Sequence, residues 1–325
     1  HLGMYELFAL RVAVTLAVST LSYHLVEMPI RRGAFRGRKI TWSFAPAGAA
    51  CLAVVLVVVT RGGVSPAGAF DLGQPADAPM PTVADAGSQA PIRVMVLGES
   101  VAMLLDPGLS DVASQSNIVV WNRAAVGCGF LDLEIWHDGQ GNTSKDAAEQ
   151  CTEWHQSWQQ DVNDFKPDIV LMAFGVWDSE DIQTSNGKLL AGTPEWNAYV
   201  HDGLEKTFTM LTSQGAKLLL TTFPYVRPGL WDLLANGQEI TDDSARHMDD
   251  LNAIYRSFAA EHPGQVFLAD LNGFADPAGK YTDLYVDGVR MREDGVHFTT
   301  EASYVVARWL VPQIVAVADA SAPAG

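Results

Sequence analysis

None of the three cysteines and eight histidines falls at the spacing of a zinc site, so neither a metal nor a cofactor is expected. No internal repeat is visible. Glycine (28) and proline (16) stand near their usual share, which excludes collagen-like and low-complexity chains. Charged residues make up only 18% against 48% hydrophobic, and 325 residues of that composition bury a sizeable core as one large or two modest domains. A disordered or fibrous chain is thereby excluded. Basic residues are scarcest where the chain is longest. Residues 1–61 hold seven (Arg11, Arg31, Arg32, Arg36, Arg38, Lys39, Arg61) against Glu6 and Glu27, a net +5, whereas the remainder holds fourteen against thirty-six acidic residues, a net −22. An acidic body repels phosphate backbones, so nucleic acid is not an expected partner.

The cationic head is also apolar. Ile40–Thr60 carries no charge and ends in Leu52-Ala-Val-Val-Leu-Val-Val-Val59. As a helix rising about 1.5 Å per residue, this stretch matches a hydrocarbon core of roughly 30 Å. A span is expected there, and the cluster Arg31-Arg32, Arg36, Arg38-Lys39 before it should stay cytoplasmic, which places residues 62–325 on the outer face of the cell membrane. Leu7–Val26 is expected as a second span, with Arg11 shielded by neighbouring protein. The alternative is a signal peptide with 31–39 as basic region, 50–59 as apolar region and Pro66-Ala-Gly-Ala69 as exit. Residues 62–91, rich in Gly, Pro, Ala, Ser and Asp, have the composition of a flexible tether.

From residue 92 short apolar runs alternate with longer helical ones. Ile92–Leu97, Ile118–Trp121, Asp168–Phe174, Lys217–Thr222 and Val266–Asp270 read as buried strands, and helices are expected near 101–115, 195–214, 243–262 and 301–318. Strands this apolar, separated by helices, imply an α/β domain over 92–318 with a parallel sheet covered on both faces, followed by a short tail at 319–325. In such sheets chemistry sits at the carboxyl ends of the strands.

Four sequence features fall at those ends. Strand one runs into Gly98-Glu99-Ser100, where a sharp strand-to-helix turn puts a serine beside backbone N–H groups; serine is also a common N-cap. The second exit carries Asn122-Arg-Ala-Ala-Val-Gly127-Cys128-Gly129, a loop whose amides suit a developing oxyanion. The third is Gly175-Val-Trp177-Asp178. Asp294-Gly-Val-His297 precedes the last helix, a spacing at which the carboxylate receives the Nδ1 hydrogen and leaves Nε2 to deprotonate a nucleophile.

In this order the four features resemble the SGNH/GDSL hydrolases over roughly 92–318, which implies a three-layer, flavodoxin-like α/β/α domain. The resemblance implies Ser100 as nucleophile, His297 as base, Asp294 as orienter, and the Ser100 and Gly127 amides as oxyanion donors. The family's Gly-Asp-Ser is here Gly98-Glu99-Ser100, and its Gly-x-Asn-Asp is Gly175-Val-Trp177-Asp178. Trp177 thus stands where the family places a side-chain amide donor, and serves that role only if its indole N–H turns inward. Upstream, Tyr23-His-Leu-Val-Glu27-Met-Pro29-Ile-Arg31-Arg32 resembles the end of the last core helix of acyltransferase family 3 membrane proteins. The two together imply a bacterial fusion, the C-terminal part of a longer polytopic protein. In it a membrane core delivers an acyl donor and this domain passes the acyl group, usually acetyl, to a glycan or glycolipid hydroxyl. An esterase using water, or a glycan-binding module whose site has decayed, remain the alternatives.

Cys128 and Cys151, in an oxidising compartment, are expected as a disulfide closing the 129–150 excursion, with two free buried thiols as the alternative; Cys51 lies in the expected span. Trp136, Trp154, Trp158, Trp177, Trp196 and Trp231 fall in or near expected loops, and Trp177, Asp178 and Trp231 are the candidate substrate contacts. His201, His247 and His262 are expected on helix surfaces.

Overall fold

The computed structural model describes residues 20, 78–83, 90–134, 136–137, 143–227 and 243–320. The chain divides into two compact units, His1–Ala69 and Phe70–Gly325, and the second is the one described below. The spans expected at 7–26 and 40–60 lie outside the described residues but for Thr20. Among the described residues no helix is long and apolar enough to cross a membrane.

In chain order the elements are β1 (Ile92–Gly98), α1 (Ser100–Leu104), α2 (Asp106–Ser114), β2 (Ile118–Asn122), β3 (Trp136–His137), β4 (Thr143–Ser144), α3 (Lys145–Phe165), β5 (Ile169–Ala173), β6 (Ile182–Thr184), β7 (Gly187–Leu189) and α4 (Pro194–Leu211). There follow β8 (Lys217–Thr221), α5 (Asp243–Glu261), β9 (Val266–Ala269), α6 (Leu271–Ala275), β10 (Tyr285–Val286), β11 (Val289–Arg290) and α7 (Thr300–Asp319). Strands β1, β2, β5, β8 and β9, the five apolar runs of the sequence, form one sheet in the order β2-β1-β5-β8-β9. Every pairing in it is parallel.

The alternation of each strand sorts its side chains between two cores. Met95 and Leu97, Val170 and Met172, and Leu218 and Leu220 enter one core, where they meet Trp158, Val162 and Phe165 of α3, Val200 and Leu204 of α4, and Leu251 and Phe258 of α5. Val94 and Val96, Ile169 and Leu171, and Leu219 enter the other, against Leu109 and Ala113 of α2 and Leu310 and Ile314 of α7. Both faces are therefore dry, which is why these strands read as continuous apolar runs. Helix α7 has no basic residue in its last turn. Lys217 of β8 supplies that charge instead, its Nζ donating to the carbonyls of Val317 (2.7 Å), Ala318 (3.1 Å) and Ala320 (2.5 Å).

Three local readings need correction. Helix α3 was not anticipated, because its exposed face is polar throughout; its signal is Trp154, Trp158, Val162 and Phe165, all buried at helical spacing. Trp154, Trp158 and Trp196 accordingly lie on helices in the core and not in loops. Part of the expected tether is held by the domain: Ala78 accepts a hydrogen bond from the Trp121 indole (3.1 Å), and Val83 packs against the core.

Candidate active site

The order of the sheet reverses between β1 and β5, and the crevice outside the carboxyl ends of those neighbours is where a doubly wound sheet binds its ligand. Gly98 pairs with Ala173 there. A Cβ on Gly98 would lie 2.4 Å from the Ala102 Cβ and 2.4 Å from the Ala173 carbonyl oxygen, so only glycine lets the chain turn from β1 directly into α1. That turn presents Ser100, 9% exposed, at the first position of α1.

His297 reaches Ser100 from the loop before α7. Its Nε2 lies 2.7 Å from the Ser100 Oγ and its Nδ1 2.6 Å from Asp294 Oδ2. The other oxygen, Oδ1, accepts the backbone N–H groups of Val296 and His297, each at 2.8 Å. Burial pushes the Asp294 carboxyl up, but the His297 hydrogen bond and charge and these two amides outweigh it and hold the group below the usual aspartate range. An ionised acceptor on Nδ1 fixes the proton there, which leaves the Nε2 lone pair for the serine hydroxyl. The loop has its own anchors. Arg292 is buried, and its guanidinium donates to Asp276 Oδ1 (2.5 Å) and to the Tyr225 carbonyl (2.7 Å). Arg227 N–H donates to the Gly295 carbonyl at 3.0 Å.

The loop after β2 is tied on all sides. Ala125 N–H donates to the Gly98 carbonyl (2.9 Å), which keeps the loop beside the exit of β1. The Asn122 amide donates to the Ala102 carbonyl and its oxygen accepts Ala124 N–H, at 3.1 and 3.0 Å. Arg123 pairs with Asp161 of α3 at 2.9 Å, and the Trp154 indole donates to the Arg123 carbonyl at 3.0 Å. Gly127 takes φ 75°, a left-handed conformation that favours glycine. Directly after it, Cys128 is disulfide-bonded to Cys151 in the second turn of α3.

The third loop departs from expectation. Asp178, expected at the substrate, is 1% exposed, and its two oxygens accept Phe130 and Leu131 N–H, each at 3.1 Å. It holds the loop after β2 to the loop after β5 and is closed to a substrate by burial. Trp177 is half-buried, and the N–H of Val176 before it donates to Glu99 Oε1 at 2.9 Å. Trp231 lies outside the described residues. Two further residues bear on the site. Glu99, which stands where the family has aspartate, is buried and touches the third loop. His155, 7% exposed, bridges Asp132 (2.7 Å) and the Gly129 carbonyl (2.8 Å); its i, i+3 spacing from Trp158 on a helix was the available clue.

A parallel sheet of this order, with Ser100 after β1 joined at its carboxyl edge to His297 and Asp294 from the loop before α7, defines an SGNH/GDSL hydrolase-like α/β domain. The chain belongs to the DUF459 family, described as a protein of unknown function, which matches residues 93–313. Among curated proteins none matches the sequence. Similar solved structures include TesA (16% identity, 69% of this chain and 99% of that one, TM-score 0.44) and an acetyl xylan esterase, AlAXEase (16%, 69% and 100%, 0.44). Another is the periplasmic domain of a lipopolysaccharide acetyltransferase from Salmonella ser. Paratyphi A (11%, 70% and 84%, 0.46).

Proposed function

We propose that this domain transfers an acyl group, acetyl in the simplest case, through an acyl-Ser100 intermediate to a hydroxyl of an extracytoplasmic glycan or glycolipid. The observation that carries the reading is the hydrogen-bonded series Ser100, His297, Asp294. Ser100 Oγ attacks the donor's acyl carbonyl while its proton passes to His297 Nε2. The Ser100 and Gly127 amides, with Trp177 at the rim, are the groups assigned to the oxyanion. The leaving group departs with the proton from Nε2. An acceptor hydroxyl then gives its proton to Nε2, attacks the acyl-serine, and frees Ser100 as the ester forms on the sugar. No cofactor enters these steps.

Transfer to a glycan is favoured by what surrounds the domain in the chain. Residues 1–61 have the composition of membrane spans with a basic loop at 31–39, and a membrane acyltransferase core is the proposed source of the acyl donor. The Cys128–Cys151 disulfide supports the outer face, since such bonds persist in oxidising compartments. Reporter fusions after Thr60 test the location: a reporter active only in the cytoplasm should stay silent, and a signal there contradicts it. For the chemistry, acetyl-ester turnover with and without a polysaccharide acceptor, wild type beside Ser100→Ala, is decisive. Ser100-dependent acetylation of the acceptor supports transfer, Ser100-dependent release of acetate alone converts the reading to an esterase, and turnover that survives Ser100→Ala overturns both.

A further inference from the structure

Two buried carboxyl groups lie next to the proposed machinery and take no part in it. Glu99, 1% exposed, immediately precedes the nucleophile, and Asp178, also 1% exposed, follows Trp177. Glu99 Oε1 accepts Val176 N–H at 2.9 Å, and the amides of Trp177 and Gly175 also point at this carboxyl. Its second oxygen, Oε2, is buried with no hydrogen-bond partner. Asp178 in turn takes the amides of Phe130 and Leu131. The two side chains therefore join the three loops around Ser100: the exit of β1, the turn after β5 and the segment after Gly127.

What faces Glu99 decides its charge. Asp178 stands beside it on the turn after β5, and the Tyr255 phenol from α5 faces both carboxyls while donating to the Phe174 carbonyl at 3.1 Å. From α3, His155 faces Asp178. Among the described groups acting on Glu99 there is no cation; its favourable partners are backbone amides, and one oxygen has none. A buried, half-satisfied carboxylate beside a second carboxyl is far costlier than the neutral acid.

We propose that Glu99 is a positioning residue that works as the neutral acid, tethering the turn that carries Trp177 to the nucleophile's own strand exit, with Asp178 completing the tie to the loop after Gly127. Burial, with Asp178 adding to it, raises the Glu99 carboxyl to about 8, so the acid form persists at neutral pH. Above that, ionisation places a second negative charge beside Asp178 under the site and loosens the turn. Aspartate is one methylene shorter and does not reach Val176; glutamine keeps the length and the acceptor oxygen and never ionises.

The inference rests on Ser100 being the nucleophile, and the experiment separates the two. The full chain is assayed with p-nitrophenyl acetate from pH 6 to above pH 9 as wild type, Glu99→Gln, Glu99→Asp and Ser100→Ala, and infrared spectra of the carboxyl region are recorded for wild type and Glu99→Gln. Glu99→Gln should keep kcat within about threefold of wild type and lose the fall in rate above pH 8, while Glu99→Asp should lower kcat about ten- to a hundredfold with KM little changed, the cost of a displaced site. At neutral pH wild type should show a protonated-carboxyl band that Glu99→Gln lacks. Equal loss in Glu99→Gln and Glu99→Asp, an unchanged alkaline limb, or no difference in the band overturns the role of Glu99 and leaves the nucleophile standing. Turnover unaffected by Ser100→Ala overturns the nucleophile, and the role of Glu99 with it, while the infrared comparison still reports the protonation state.

Discussion

Ser100 and His297 are 197 residues apart in the sequence and 2.7 Å apart at the site, so each depends on the other for its chemistry. Replacing Ser100 or His297 by alanine should each abolish most turnover, and the double variant should cost little more than either alone, as groups acting in one step are not additive. Asp294→Asn should lower kcat by about 10²- to 10⁴-fold by favouring the wrong imidazole tautomer, with an unchanged melting temperature within a few degrees. Steady-state kinetics of the four variants, with a thermal melt of Asp294→Asn, check both statements. These three residues were legible because each lies in a short local pattern at a strand or helix boundary. Asp178 was not. Its Phe130 and Leu131 partners are 48 and 47 residues away, and an acidic side chain after a tryptophan in an expected loop gives no sign that burial has closed it to substrate.

Five strands were readable because burial on both faces makes each an unbroken apolar run. Helix α3 was obscured by its polar face and by the Cys128–Cys151 spacing, which drew the region as a loop excursion when the second cysteine in fact lies on a helix. The consequence reaches the site, since this helix holds the loop on both sides of Gly127, before it through Asp161 and the Trp154 indole and after it through the disulfide. In the chain-entropy picture a bridge with a sequence separation of 23 contributes about 3 kcal/mol. The Cys128→Ser/Cys151→Ser double variant should therefore show a denaturation midpoint lowered by that much stability and a lower kcat, with KM less affected. An unchanged kcat would mean that Arg123, Trp154 and the backbone bonds hold the loop without the bridge.

At the scale of the whole molecule, protons held in the fold set the pH at which it is firmest. Burial raises the Glu99 carboxyl to about 8, and Asp178 and Glu180 to about 7 each. The unfolded chain releases these protons near its ordinary carboxylate values, 4.5 for glutamate and 3.8 for aspartate, while the folded chain keeps them to pH 7 or 8. In that window the native state binds more protons than the unfolded one, so stability falls as pH rises, at about 1.4 kcal/mol per unit for each fully buried group. Asp132 and Asp294, whose carboxyls are lowered, act in the opposite sense and lose their contribution only as pH falls below the usual aspartate range. Thermal melts should give a higher Tm at pH 5 than at pH 8, in the same direction as the growing self-repulsion of a chain with formal charge −17 at pH 7. A flat or rising Tm over that interval would show that the buried carboxyls are not neutral. The central claim, acyl chemistry through one serine, is tested most directly by quenching the protein in acid during turnover of an acetyl ester and mapping the acetyl group by peptide mass. A single acetyl on the peptide carrying Ser100, absent from Ser100→Ala and from His297→Ala, is the result predicted here. Continued turnover with no acetyl on that peptide, or with the label on another residue, would contradict it.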